Sequence, residues 1–526
     1  MRGRLRSAVV LGWVGLVLLF VAGVIGYVLW GGPSGDRPNR AQVSGTLLAA
    51  VVIVPPVVVW AWSRRSPLVP AAPSVAQTAA AAQALADRQV AAWRRQVQVR
   101  GIRLPAPVKV RWRWADPQVA VPRDEVGATS SGGVSGPGPV RGLQVGELLG
   151  SGVVTRLHNE VYGRLPRGRL VLIGGPGAGK TAAMILLLLQ ALEHREHLAP
   201  EERAKVPVPV WLTLGSWNPA EQGLREWAAA TIARDHPYLR AAEYGPDVIG
   251  ALFDTGQVAL FLDGLDEMPG AHRVRAIHRL QTEAGGLRVV LTSRPAEYQA
   301  TLDDGAQLPA TAVLELRPVA VGAAADYLLA DCTEPVRRAW VVVTDEIRAR
   351  PDGVLARTLN TPLTLSLARA AHPVDPTPLL DPALDTEQAL RRHLLDQTLI
   401  TAYPDPRERE HATYWLGWIA HHMNTPPTGP TRDLPWWHIP NWIPSWQRRL
   451  VFGPGAGLVF GFIFGLIAGP GSGLVFGLVV GLVAGIVGGQ EVSAPRTFVV
   501  HRPSHRELQS VLRVGIFFGI FLGIFL

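Results

Sequence analysis

Along this chain of 526 residues the hydrophobic positions fall into three regimes. From about residue 143 to 316, short apolar runs alternate with longer stretches of helical periodicity. The runs 170–173, 210–214, 258–262, 288–292 and 312–316 are largely apolar on both faces, as strands inside a parallel sheet are. Stretch 181–193 follows the first run and holds Leu186, Leu187, Leu188 and Leu189; it is apolar nearly all round, which suits a helix wedged between sheet and neighbours. The alternation predicts an α/β fold, a parallel sheet covered by helices on both faces. Upstream, 79–99 reads as an exposed Ala/Gln-rich helix, 108–114 alternates as a strand does, and 127–142 is a Gly/Ser/Pro-rich linker.

The two ends are patterned differently. An apolar run from about Ala8 to Trp30 follows Arg2, Arg4 and Arg6 and lacks the small-residue cleavage site of a signal peptide. It is long enough to span a bilayer, and 41–62 reads as a second span, kinked at Pro55 and Pro56. With Arg64 and Arg65 behind it, arginines on the outer flanks outnumber those in the short loop, so both flanks are expected to face the cytoplasm. Near the other end, Trp436, Trp437, Trp442 and Trp446 precede Arg448, Arg449 and a long apolar run, the arrangement of an interfacial belt. There glycine recurs at every fourth residue from Gly453 to Gly489, and again at Gly515, Gly519 and Gly523. A break at 469–473 divides the segment into two expected spans, 450–468 and 474–488, and a last apolar run ends at Leu526. Small residues at this spacing let membrane helices meet backbone to backbone. Two outcomes stay open: packing within one chain, or association of several copies that perturbs the membrane.

Composition narrows the classes. A net charge of +9 could indicate nucleic acid, but much of it is arginine beside hydrophobic segments, which membrane orientation explains; no specific nucleic acid is expected. Cys332 is the only cysteine, which excludes a disulfide framework and a cysteine-based metal site. Of 51 basic residues only Lys109, Lys180 and Lys205 are lysine, so a lysine marks a position where arginine would not serve.

Lys180 closes Gly174-Gly175-Pro176-Gly177-Ala178-Gly179-Lys180-Thr181, which fits G-x-x-x-x-G-K-[ST] at every fixed position, with a strand before it and a helix after. Glycines let backbone N–H groups turn inward around a phosphate, and the helix adds its positive end. Lys180 would reach the β- and γ-phosphates, and the Thr181 hydroxyl would ligate Mg²⁺. The strand at 258–262 then delivers Asp263 to its C-terminal edge, where it is placed to hold the same Mg²⁺. Gly264 leaves room beside the phosphates, and Asp266 and Glu267 could orient the attacking water. The next strand ends in Ser293-Arg294-Pro295, which brings Arg294 toward the γ-phosphate.

Taken in order, GGPGAGKT, LFLDGLDEMP and VVLTSRPAEY resemble a NACHT-domain NTPase of the signal-transducing (STAND) class of P-loop ATPases. Leu359-Asn360-Thr361-Pro362-Leu363 resembles the proline motif of that family's helical domain, whose proline contacts nucleotide in the closed form. The resemblance covers roughly 150–423. It implies a P-loop sheet followed by helical and winged-helix-like domains, here flanked by transmembrane helices. A winged-helix histidine touching the β-phosphate occurs in animal relatives; His372, His393 and His421 are the candidates here. The expected organisation is a two-helix membrane anchor (1–65), a helical and Gly/Pro-rich linker (66–142), the NTPase (143–320), a helical domain (321–373), a winged-helix-like domain with the Trp-rich segment (374–447) and a Gly-rich transmembrane region (448–526).

Together with the arginine-flanked apolar runs, the resemblance gives a membrane-attached switch with its NTPase in the cytoplasm as the leading expectation. It would use Mg²⁺ with ATP, GTP being open, hydrolyse slowly, form homo-oligomers on activation and, in bacteria, act in defence against phage. The other reading is a transporter or channel energised by ATP. Val487-Gly488-Gly489-Gln490 echoes the ABC signature, but it follows the acidic motif instead of preceding it, and Gly264 stands where the ABC catalytic glutamate would be. No sensor repeat is recognisable, so the sequence does not name the trigger.

Overall fold

The computed structural model describes residues 72–103, 106–127, 150–425, 434, 436, 439–468 and 470–488, all within the unit that begins at Ala72. Seven strands form one sheet: β1 (Arg111–Trp114), β2 (Ser151–Val153), β3 (Arg169–Ile173), β4 (Val208–Thr213), β5 (Val258–Asp263), β6 (Arg288–Ser293) and β7 (Ala312–Leu316), in the order β2-β1-β7-β3-β6-β5-β4. From β7 to β4 every pairing is parallel, while β1 joins β7 and β2 antiparallel. Every residue of β3 and β6 is buried, so neither face of the central sheet meets solvent, as the long apolar runs require. The mixed α/β architecture expected from the pattern is present.

Two register facts place the site. Ile173 pairs with Ser293 and Leu262 with Leu291, so β3, β5 and β6 end level with one another. Because β6 lies between β3 and β5, its C-terminal residues sit between the glycine-rich loop after β3 and the acidic strand end.

The longer helices are α1 (Val75–Val99), α2 (Lys180–Glu196), α3 (Leu224–Asp235), α4 (Gly270–Glu283), α5 (Pro295–Asp303), α6 (Val321–Leu329), α7 (Glu334–Ala349), α8 (Pro362–Ala371), α9 (Glu387–Ala402), α10 (Pro406–Asn424), α11 (Ser445–Ala468) and α12 (Pro470–Gly488). Helix α1 corrects the sequence reading of an exposed stretch. Ala81, Ala82, Leu85 and Ala86 are buried in the main core, where the helix packs on β4 and α2. Alanine stripes carry little hydrophobic contrast, which is why this face is invisible to periodicity yet packs closely. The expected linker at 127–142 lies largely outside the described residues. Beyond residue 374 the described chain to 425 is a short 3-10 turn followed by α9 and α10, and no strand is present there to form a wing.

Helices α11 and α12 form an antiparallel hairpin in which the glycine seam is consumed within one chain. A Cβ on Gly457 would lie 2.8 Å from the carbonyl oxygen of Gly477, and one on Gly481 would lie 3.0 Å from that of Gly453. Outward-facing Leu458, Val459, Phe462, Leu474, Leu478 and Leu482 are exposed. Among the described residues no helix is long and apolar enough to cross a membrane, so the expected flanking transmembrane helices are not supported. Helix α11 carries Arg448 and Arg449 near its start, and both helices are otherwise apolar. The spans expected at 8–30 and 41–62, and the run ending at Leu526, lie outside the described residues. Of the tryptophan belt, Trp436 and Trp446 are exposed, Trp442 packs on Trp418 and His422, and Trp437 is outside the described residues.

Candidate functional site

The loop 174–179 leaves β3 and feeds α2, whose N-cap is Gly179. Gly177 and Gly179 hold φ of +74° and +89°, a region that residues with a Cβ rarely adopt, and this turns the loop back over the helix end. The Lys180 side chain folds across its own loop and donates to the carbonyls of Gly174 at 2.8 Å and Gly175 at 3.4 Å. Its ammonium is therefore held at the loop by backbone oxygen, as a compact point charge can be. Pro176, Gly177, Ala178, Gly179, Lys180 and Thr181 line a cleft of about 470 Å³. Gly174 is anchored to the neighbouring strand, its N–H donating to Ser293 O at 3.3 Å.

Asp263 reaches the same cleft from β5. The Thr181 hydroxyl donates to its Oδ2 at 3.3 Å, and the Thr292 hydroxyl donates to its Oδ1 at 2.5 Å. Burial pushes the Asp263 carboxyl above its ordinary pKa; the two hydroxyl bonds and Lys180 pull the other way, and nearby Asp266 adds to the rise. A buried carboxylate of this kind is one that a cation would stabilise. Two oxygens 3.3 Å apart, one hydroxyl and one carboxylate, suit Mg²⁺, which takes one or two protein ligands and completes its shell with phosphate and water. Among the described residues no group of three or more His, Cys, Asp or Glu could hold a metal unaided.

Gly264 then turns the chain at φ +85°, and a Cβ there would touch the Glu267 side chain at 3.0 Å. Asp266 and Glu267 both line the cleft. Asp266, 4% exposed, faces Arg294 with Oδ2 and Nε 2.9 Å apart. The Nε–H does not point along that line, so charge holds the pair more than a directional bond does. Arg294 is thus at the cleft as expected, engaged with Asp266.

The roof comes from α8. Thr361 caps it, accepting from Thr364 N, and Pro362 occupies its first turn, where a missing N–H costs nothing. The Pro362 ring lies 3.2 Å from where a Cβ on Gly179 would be, Leu363 lies 3.1 Å from one on Gly177, and Leu363 N donates to Gly177 O at 3.4 Å. Those two glycines are needed for this close approach as well as for their φ. Pro362 therefore stands against the phosphate loop.

The histidines do not. His372 and His393 hydrogen-bond each other, Nε2 to Nε2 at 3.2 Å, with rings stacked, and His421 meets His422 edge-on in the aromatic cluster on α10. None of the three lines the cleft. Residues that sequence reasoning missed also line it, among them Arg100, Ile102, Val108, Val110, Val154 and Tyr327. They come from outside every motif; the only available signal was the alternation at 108–114.

The chain matches no protein-family model and no curated protein.

Proposed function

We propose that this chain is a NACHT-type signalling NTPase that binds and slowly hydrolyses ATP or GTP with Mg²⁺ as an oligomerisation switch. The observation that carries the reading is the convergence of Thr181 and Asp263 beside a complete phosphate loop, in a cleft large enough for a nucleotide and roofed by the proline end of α8. Backbone N–H groups of 174–179 and the N-terminus of α2 would hold the phosphates, with Lys180 leaving its carbonyl partners for phosphate oxygen. Mg²⁺, when bound, would supply charge neutralisation at the phosphates. Asp266 and Glu267 would position water, and Arg294 would meet charge near the γ-phosphate. The apolar lining residues Ile102, Val108, Val110 and Val154 offer a surface for a base. The three motifs and the proline motif support the family reading; a role in defence against phage rests on that likeness alone.

Attachment to a membrane, with the NTPase in the cytoplasm, belongs to the same proposal. It is supported by the arginine-flanked apolar runs near the N-terminus and by the outward apolar surface of the α11–α12 hairpin, a kind of surface that soluble monomers seldom expose. The test is nucleotide binding by the purified protein. Lys180→Ala should abolish it, and Glu267→Gln should keep binding while slowing turnover. Equal affinity in the parent and Lys180→Ala would end the assignment.

A further inference from the structure

We infer that Thr292, which stands two residues before Arg294 in the third motif and has no role assigned by it, is a positioning residue that sets the divalent-cation affinity of this cleft; the inference rests on reading the cleft as an Mg-nucleotide site. Mg²⁺ demands near-ideal octahedral geometry, so a ligand free to swing binds it poorly. The terminal torsion of an aspartate is broad, and the end of a strand does not fix it. What fixes Asp263 is its neighbour strand. An ionised carboxylate can only accept, so the single Thr292 proton goes to Oδ1, at 2.5 Å. The Thr292 oxygen is itself held, accepting the Gly264 N–H at 2.9 Å. With Oδ1 committed to β6, Oδ2 is the oxygen left facing Thr181.

Thr292 itself is buried, while the Asp263 end of the bond opens on the cleft. The next residue cannot substitute, because the Ser293 hydroxyl donates to the carbonyl of Arg294. One side chain thus ties together the ends of β5 and β6 and aims the carboxylate at the threonine of the phosphate loop. A threonine serving only as core packing would affect folding and nucleotide affinity at every metal concentration alike. A positioning residue changes the cation dependence selectively.

The experiment titrates MgCl₂ against binding of a fluorescent ATP analogue to the full-length protein, with a parallel measurement in EDTA. Thr292→Val removes the hydroxyl and keeps the shape. It should raise the Mg²⁺ concentration for half-maximal effect by about tenfold or more, the loss expected for a hydrogen bond to a charged group, and leave affinity in EDTA unchanged. Thr292→Ser should stay within about twofold of the parent, since it keeps the donor. Thr292→Cys, similar in shape and a weak donor, should behave as Thr292→Val does and replaces it if the valine chain does not fold. An unchanged Mg²⁺ midpoint in the valine or cysteine variant, or an equal loss in EDTA, overturns the inference while the nucleotide reading stands. If the parent binds no nucleotide, or Lys180→Ala binds like the parent, the reading beneath it falls and takes the inference with it.

Discussion

Gly477→Ala should open the α11–α12 hairpin even though alanine is the better helix former. Exchanging glycine for alanine inside a helix favours the helix by about 1 kcal/mol. At Gly477 that gain meets an opposing term. The new Cβ would lie 2.7 Å from the carbonyl oxygen of Gly457 and 2.9 Å from the Cα of Gly461. Carbon contacts are comfortable at about 3.5–4 Å, so the two backbones must part by about 1 Å. Overpacking of this kind costs about 1–3 kcal/mol, and a gap of that size forfeits about a quarter to a half of each neighbouring contact. The net effect should be destabilising. Gly455 is the control, because a Cβ there meets nothing within 4 Å; Gly455→Ala should keep the propensity gain. Hydrogen–deuterium exchange across 445–488 in detergent reads both: faster in Gly477→Ala, unchanged or slower in Gly455→Ala. If Gly477→Ala also slows exchange, the seam is not a close backbone contact and the geometry argued from it is wrong.

Arg294→Met should cost about 3 kcal/mol in urea unfolding by leaving the buried Asp266 carboxylate without its arginine, and adding Asp266→Asn should restore at least half of that; a loss below about 1 kcal/mol would refute burial of the pair. His158 is buried beside His194 and Arg288, and burial lowers its pKa to about 4. Its folded pKa lies below the unfolded 6.5, so the unfolded state binds more protons between those values and stability falls with acid, by about 2 kcal/mol between pH 7 and pH 5. Thermal melts of His158→Phe should show that much less acid sensitivity than the parent, and equal sensitivity would refute the assignment. Leu363→Ala should preserve nucleotide binding but weaken the nucleotide-induced change in amide exchange over 387–402, and an undiminished response would show that α8 does not carry the signal.

Much of the α/β frame was legible because β3, β5 and β6 are buried on both faces, and continuous apolar runs are what such burial demands. The glycine-rich loop and Asp263 stood out in the sequence by residue type at fixed spacing, and the structure brings them to one cleft. Thr292 did not stand out: it reads as one more β-branched strand residue, and its role depends on which strand lies beside β5, a matter of sheet order and not of local sequence. Helix α1 was misjudged because alanine faces hide burial; the strand at β1 was legible in its alternation, but its antiparallel partners β2 and β7 were not. The histidine candidates failed for a related reason. His372 and His393 are 21 residues apart and meet only because α8 packs against α9, which turns both rings toward each other and away from the cleft.

That packing also bears on what a nucleotide could transmit. A ligand shifts an equilibrium only by the difference between its contacts in the two states. Phosphates held by 174–179 would act on the same loop backbone that Pro362 and Leu363 touch, so the loop is an element shared by ligand and helical roof. From α8 the path is short: its C-terminal His372 clasps His393, and Arg369 donates to the carbonyls of Tyr327 at 2.7 Å and Ala330, at and just beyond the end of α6. Tyr327 itself lines the cleft. Helix α8 is therefore gripped at one end by the phosphate loop and at the other by α6 and α9, and it cannot lift from the loop without straining or breaking one of those holds. Closed packing of this kind favours two discrete arrangements over a continuum, which is the property a nucleotide switch requires.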